Sequence, residues 1–135
     1  MSVETLTWNG HEAFAFGDGP ELADALGALV VSGRKTATCW AATQGNPTHL
    51  GKRMVMLDGR GRGWAVLETV ELRQCRFDEV DADFARDEGE GDLSLESWRE
   101  GHRSYFTREG TYSPAMLLWC ERFTVVDVLD RESSR

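Results

Sequence analysis

The chain has 135 residues, 41% of them hydrophobic, with five Trp and six Phe, enough for one compact domain and too few for two. Such a chain can bury a core without cross-links, which excludes disordered, collagen-like and disulfide-stapled classes. The net charge of −8 is concentrated: Asp78 to Asp92 holds eight acids and one base, Arg86.

Asp18-Gly19-Pro20-Glu21 reads as a helix start, with Asp18 as N-cap, Pro20 in the first turn and Glu21 as the capping-box partner. Leu22, Leu26, Leu29 and Val30 share one helical face, and Gly33 supplies the stop. Thr36 to Trp40 alternates as a strand does. Ala41 to Gly51, with Gly45, Asn46 and Pro47, reads as a loop. Arg53 to Leu57, a turn over Asp58 to Gly63, and Trp64 to Leu72 make a hairpin. After the acidic segment, Asp92 or Ser94 caps a second helix carrying Leu95, Trp98, His102, Tyr105 and Phe106 on or near one face. Leu117 to Trp119 and Arg122 to Leu129 are two late strands, and Arg131 to Arg135 is a short flexible tail. The whole is expected to be a single domain over residues 1–135 of α+β class. It is a small, mostly antiparallel sheet or barrel with two main flanking helices.

No run approaches the ~20 apolar residues of a membrane helix. Met1 to Phe16 lacks the cationic start and apolar run of a signal peptide. Cys39, Cys75 and Cys120 are odd in number without C-x-x-C spacing, which fits neither a disulfide framework nor a zinc cluster. The expected location is cytoplasmic. The acidic segment disfavours duplex DNA, which is gripped through its phosphates; a nucleoside or short single strand at a local basic site is compatible with it. G-x-x-x-x-G-K-[ST], G-x-G-x-x-G, H-E-x-x-H and G-x-S-x-G are all missing. P-loop, Rossmann, zincin and α/β-hydrolase chemistry lose their main support. His11, His49 and His102 are scattered without metal-ligand spacing, so neither a metal nor a cofactor is expected.

Two stretches can carry chemistry. Gly33-Arg34-Lys35-Thr36-Ala37-Thr38 lies where a helix gives way to a strand. With 13 Arg and only Lys35 and Lys52 as lysines, this position is compatible with a need for an amine that can lose its proton. On a strand Lys35 and Thr38 face opposite ways, so a bend is needed to bring both to one pocket. A structural role is the commoner reading of such a feature by itself: Arg34 and Lys35 can cap the last carbonyls of the helix. Glu88-Gly89-Glu90-Gly91-Asp92 alternates carboxylates with glycines, which lets the backbone turn sharply toward a ligand. A solvated acidic loop has the same composition. Trp40, beside the lysine motif, can stack on a base, while Trp64 and Trp119 read as core. Cys39 has no evident histidine partner and is a weak candidate nucleophile.

Phe16 to Asp24, Gly33 to Cys39, Phe84-Ala85 with Glu88 to Asp92, Ser94-Leu95, Trp98-Arg99, His102 and Cys120 to Phe123 together resemble the bacterial ASCH-domain proteins, over about residues 14–129. The resemblance implies a PUA-like β-barrel whose cleft carries G-x-K-x-x-T. It also implies a hydrolase directed at nucleosides or RNA, foremost an amidohydrolase of N4-acylated cytidine. The alternatives are a ribonuclease on single-stranded RNA and a non-catalytic RNA-binding module. The amidohydrolase pattern assigns Lys35, Thr38 and Glu88 as catalytic, with Glu90 as the alternative carboxylate. Arg34, Trp40, Glu90, His102 and Tyr105 are the candidate substrate-binding residues. The loop between Trp40 and Lys52 is short and departs from the subgroup's pattern at the cleft rim.

In that scheme the Thr38 hydroxyl attacks the acyl carbonyl. A neutral Lys35 takes its proton, and Glu88 protonates the leaving nitrogen or activates water. A charged Lys35 instead holds the oxyanion, with Glu88 as base on water. Under the ribonuclease reading Tyr105 or His102 moves the proton and acidic residues recruit a divalent ion. The expected partner is a modified pyrimidine nucleoside or short single-stranded RNA.

Overall fold

The computed structural model describes residues 6–17, 19–46 and 48–129. Asp18, Pro47 and the tail Arg131 to Arg135 lie outside them, so the expectations placed on those residues go unaddressed. The fold opens with β1 (Leu6–Trp8) and β2 (His11–Phe14). They are joined by Asn9-Gly10 at φ 49° and 81°, two left-handed residues in succession, as in a type I′ hairpin turn. The reading by element overlooks this hairpin, although Asn-Gly is its strongest short signal.

Helix α1 (Pro20–Val31) starts at Gly19, which offers no side chain to cap it. With Gly19 at the N-cap, the first turn is carried by Pro20, whose missing N–H needs no partner. Ala23, Gly27 and Val30 are buried, whereas Leu22 is 42% exposed. The buried stripe thus runs through smaller residues than the leucine pattern suggests. Beyond Gly33, the backbone N–H groups of Arg34 and Lys35 both donate to the Leu29 carbonyl, closing the helix end without their side chains.

β3 (Ala37–Ala41), β4 (Arg53–Leu57), β5 (Gly63–Arg76) and β6 (Leu117–Val128) complete one sheet in the order β1-β2-β4-β5-β6-β3. β2 and β4 run parallel; the other neighbours are antiparallel. The sheet is mixed, and its order ends at β1 and β3 without closing, so the small barrel expected is met only in part. The β4–β5 turn follows the reading: the Asp58 carboxylate accepts from the Arg60 and Arg62 N–H groups at 2.9 Å each. β6 is one strand where two were expected. It runs through Cys120-Glu121 because β3 and β5 pair with it on both sides, and because Thr69 donates to the Glu121 carboxylate.

The acidic segment also folds. Its α2 (Ala82–Glu88) is capped by the Asp81 carboxylate, which accepts from the Phe84 N–H. Phe84, Ala85 and Glu88 are its buried residues, too few to stand out among the acids. In α3 (Leu95–Glu109) the N-cap is Ser94, while Asp92 accepts from the Ser94 N–H. Three helices thus accompany the sheet, and among the described residues none is long and apolar enough to cross a membrane.

Successive strand residues point to opposite faces, and β6 uses both. Leu118 and Cys120 pack with Phe77, Phe84, Trp98 and Phe106 under α2 and α3, while Phe123 packs with Phe16, Val30, Met56 and Leu67 under α1. Along β3, Cys39 pairs with Cys120 and Thr38 with Glu121, so Cys39 faces α2 and α3 while Thr38 and Glu121 face the α1 side.

Candidate active site

The free edge of β3 is where the two faces meet, and Lys35 is placed there by backbone geometry. The Thr36 carbonyl accepts from Phe123 N–H of β6. The next carbonyl, Ala37, points the other way, out of the sheet. Lys35 Nζ caps it at 2.9 Å. The same ammonium lies 3.2 Å from the Glu88 carbonyl, 3.3 Å from Glu88 Oε1 and 2.8 Å from Glu90 Oε2, and 5.5 Å from the Phe16 ring centre. Lys35 is 1% exposed. Burial alone would push its pKa down, but Glu88 and Glu90 outweigh burial and hold it above its ordinary value. The lysine is therefore an ammonium, and the version of the scheme in which a neutral Lys35 acts as base is set aside. The structural alternative for Arg34 and Lys35 also gives way: their side chains turn to the 88–91 run, with Arg34 Nη2 3.0 Å from the Gly91 carbonyl. Gly89 permits that approach, since at φ 72° a Cβ there would lie 2.5 Å from the Arg34 carbonyl oxygen.

Glu88, at the end of α2, is the anion that these contacts share. Its Oε2 accepts from Trp98 Nε1 at 2.8 Å, and its Oε1 lies 3.6 Å from His102 Nε2. Burial would raise its pKa, yet Lys35, His102 and Trp98 together bring it down to about 2. A carboxylate that acidic is ionised at neutral pH and is neither a proton donor nor a good base. Its contacts hold Lys35 and His102 in place. Glu90 differs: its side chain is 37% exposed and covers the lysine from the solvent side.

His102 stacks on the Trp98 ring with centroids 4.3 Å apart. Its Nδ1 donates to the Trp98 carbonyl at 2.9 Å, because a carbonyl can only accept. Burial disfavours the charged ring, but Glu88 outweighs it and raises the pKa. Cys39 completes this side. Burial first, then Glu88, push its thiol well above the usual range, so it stays protonated and is no nucleophile. The donor atoms of Cys39, Glu88 and His102 lie within 4.8 Å of one another. A metal ion does not suit them, since the Lys35 ammonium already sits against Glu88 and Trp98 holds the second carboxylate oxygen.

The other expected residues divide. Thr38 is half-buried on the α1 side of β3, and among the described residues its hydroxyl makes no hydrogen bond. Trp40 is 5% exposed and donates from Nε1 to the Gly45 carbonyl at 2.8 Å. Its ring is core, so it anchors the loop after β3 and cannot stack on a base. Tyr105 packs on Phe106 and carries the Arg108 guanidinium over its ring.

One residue was missed. Glu121 is the cross-strand partner of Thr38, and its Oε2 accepts from Thr69 Oγ1 at 2.6 Å. Thr69 in turn meets Thr48 Oγ1 at 2.7 Å. Burial raises the Glu121 pKa against the opposing pull of Thr69 and Lys35. The signal was available, since Glu121 interrupts the apolar positions Trp119, Phe123 and Val125 on one side of a strand.

A family model for the ASCH domain matches residues 12–127. An ASCH domain from Lactobacillus crispatus JV V101 is 33% identical, over 85% of this chain and 79% of that one, with a TM-score of 0.78. A protein of Enterococcus faecalis V583 is 31% identical, over 96% of this chain and 85% of that one, with a TM-score of 0.82. An ASCH protein from Zymomonas mobilis, 12% identical over 80% of this chain and 68% of that one, shares the fold with a TM-score of 0.51. No curated protein matches the chain. The match over most of its length and the two relatives above 30% identity establish that the chain belongs to the ASCH domain family, in the PUA-like superfamily.

Proposed function

We propose that this protein is a hydrolase of an acylated exocyclic amide on a pyrimidine nucleoside, with N4-acylcytidine as the substrate class. The observation that carries the reading is the buried side chain of Lys35, bonded to Glu88, Glu90 and the Ala37 carbonyl of the strand that also bears the free hydroxyl of Thr38. An ammonium in a site of low dielectric stabilises charge developing on a carbonyl oxygen far better than it would in water. Thr38 is the nucleophile, Lys35 meets the oxyanion, and Glu88 fixes the lysine in place. Four acceptors already surround the Lys35 ammonium, and Glu90 is the only exposed side chain among them. Substrate entry therefore displaces the Glu90 carboxylate and frees one N–H for the carbonyl oxygen.

The RNA-directed alternatives receive less support. In and beside the β4–β5 hairpin, Lys52 pairs with Glu12, Arg53 with Glu68 and Arg62 with Asp58, so most of its positive charge, Arg60 excepted, is met by protein carboxylates.

The test incubates wild type, Lys35→Ala and Thr38→Val with N4-acetylcytidine and with single-stranded RNA, each with and without EDTA. Circular dichroism checks that the variants fold. Cytidine release by the wild type, lost in both variants and indifferent to EDTA, supports the reading. Deacylation that survives Lys35→Ala overturns it, and RNA cleavage without deacylation transfers the site to the ribonuclease reading.

A further inference from the structure

We infer that Glu121 is the base that takes the Thr38 hydroxyl proton and the acid that returns it to the leaving group. The inference rests on the hydrolase reading above and names the proton carrier which that reading requires. The two acid–base candidates of the lysine motif and the acidic run are excluded by their surroundings. Lys35 is protonated, with acceptors on all sides. Glu88 has one oxygen on Trp98 and the other against Lys35 and His102. Glu88 also lies on α2 beyond the edge of β3, whereas Thr38 faces the α1 side.

Glu121 faces Thr38 directly. The two are paired across β3 and β6, which sets their Cβ atoms about 4.5–5.5 Å apart. That pairing puts the glutamate side chain on the same face as the threonine hydroxyl, and without substrate the two are not hydrogen-bonded to each other. Thr69 fixes Oε2, and among the described residues Oε1 has no hydrogen-bond partner. Thr48 and Thr69 are buried and bonded to one another, so the carboxylate is oriented from behind by one oxygen while the other is left without a protein donor. A half-buried carboxylate with a single neutral donor binds its proton more tightly than an exposed one, which is the direction general-base work requires.

The step balances. As the Thr38 Oγ–carbon bond forms, the proton passes to Glu121 and the carbonyl electron pair moves onto the oxygen beside Lys35. Collapse breaks the carbon–nitrogen bond, and Glu121 hands its proton to the leaving nitrogen. The resulting threonine ester is cleared by water, which loses its proton to Glu121 while the released Thr38 alkoxide regains one.

The experiment uses p-nitrophenyl acetate, whose leaving group needs no protonation, and reads acetylation of Thr38 by peptide mass after acid quench at a series of pH values. In the wild type the rate should rise through a limb lying above the ordinary glutamate range. Glu121→Gln, which keeps the shape and the bond from Thr69, should slow acetylation by roughly 10²-fold or more and abolish the limb. Thr69→Val should move the limb to higher pH, because it removes the one donor that favours the ionised form. Equal acetylation of wild type and Glu121→Gln overturns the inference, and so does a wild type that never acetylates Thr38. Acetylation that needs Glu121, together with inertness toward N4-acetylcytidine, supports the role of Glu121 and overturns the cytidine reading instead.

Discussion

On the α2–α3 side of β3, Glu88 is met by Lys35, His102 and Trp98 and stays ionised down to a pKa of about 2. On the α1 side, Glu121 meets Thr69, feels Lys35 only through space, and lies above its ordinary value. Burial alone lifts both carboxylates. What separates them is the number and charge of the donors each side of the sheet brings to bear. The two sides of β3 can thus hold a permanent anion and a proton acceptor brought together from α2 and β6.

The sharpest way to break this comparison is to make the same change at both positions. Glu88→Gln strips the counterion from the buried Lys35 ammonium and the acceptor from His102, and removing one partner of a buried pair costs roughly 3–5 kcal/mol. Urea unfolding at pH 7 should register a loss of that order. Glu121→Gln keeps the bond from Thr69 and removes a charge that burial disfavours, so its stability at pH 7 should equal or slightly exceed that of the wild type. Similar losses in both variants would erase the distinction.

Acid titration sharpens it further. Glu88 binds its proton more weakly in the folded state than in the unfolded chain. Its contribution is complete above about pH 4.5 and is lost as the pH falls toward 2. Glu121 has the opposite sign: stability falls as the pH rises from its unfolded value to its higher folded one. Urea midpoints measured from pH 2 to 8 should show the acid loss in wild type and Glu121→Gln, and a flattened acid limb in Glu88→Gln.

A smaller effect is expected from Trp98→Phe, which deletes the indole donor to Glu88 Oε2. Leaving a buried acceptor short of one donor costs about 1–3 kcal/mol, and the acid limb should move to higher pH. Smallest in stability is Glu90→Gln, because a half-exposed partner contributes only about 0–1 kcal/mol. Its signature should be kinetic instead: a lower KM for N4-acetylcytidine as the cover over Lys35 loosens. An unchanged KM would show that Glu90 does not gate the lysine.

Much of the fold was legible locally. α1 and α3 follow from apolar spacing, and the β4–β5 hairpin from two alternating runs around Asp58-Gly59. α2 was hidden because only Phe84, Ala85 and Glu88 of its seven residues are buried and one of these is charged. The parallel pairing of β2 with β4 was hidden because register between distant strands leaves no local mark. In the site, the GxKxxT motif and the Gly-spaced acids pointed to Lys35, Glu88 and Glu90, which the fold joins. Trp40 was misread because a tryptophan next to a motif looks the same in sequence whether its ring is packed or open.

The sequence by itself determined which residue types could do chemistry here: one of two lysines in an arginine-rich chain, a threonine three residues on, and a run of carboxylates. Charge state was decided only by tertiary structure. Lys35 became an ammonium, Glu88 a fixed anion and Glu121 a proton acceptor because residues far apart in the chain meet at the edge of β3. Proton affinity in a buried site follows from the number, sign and distance of neighbouring groups, and those are properties of packing rather than of order along the chain.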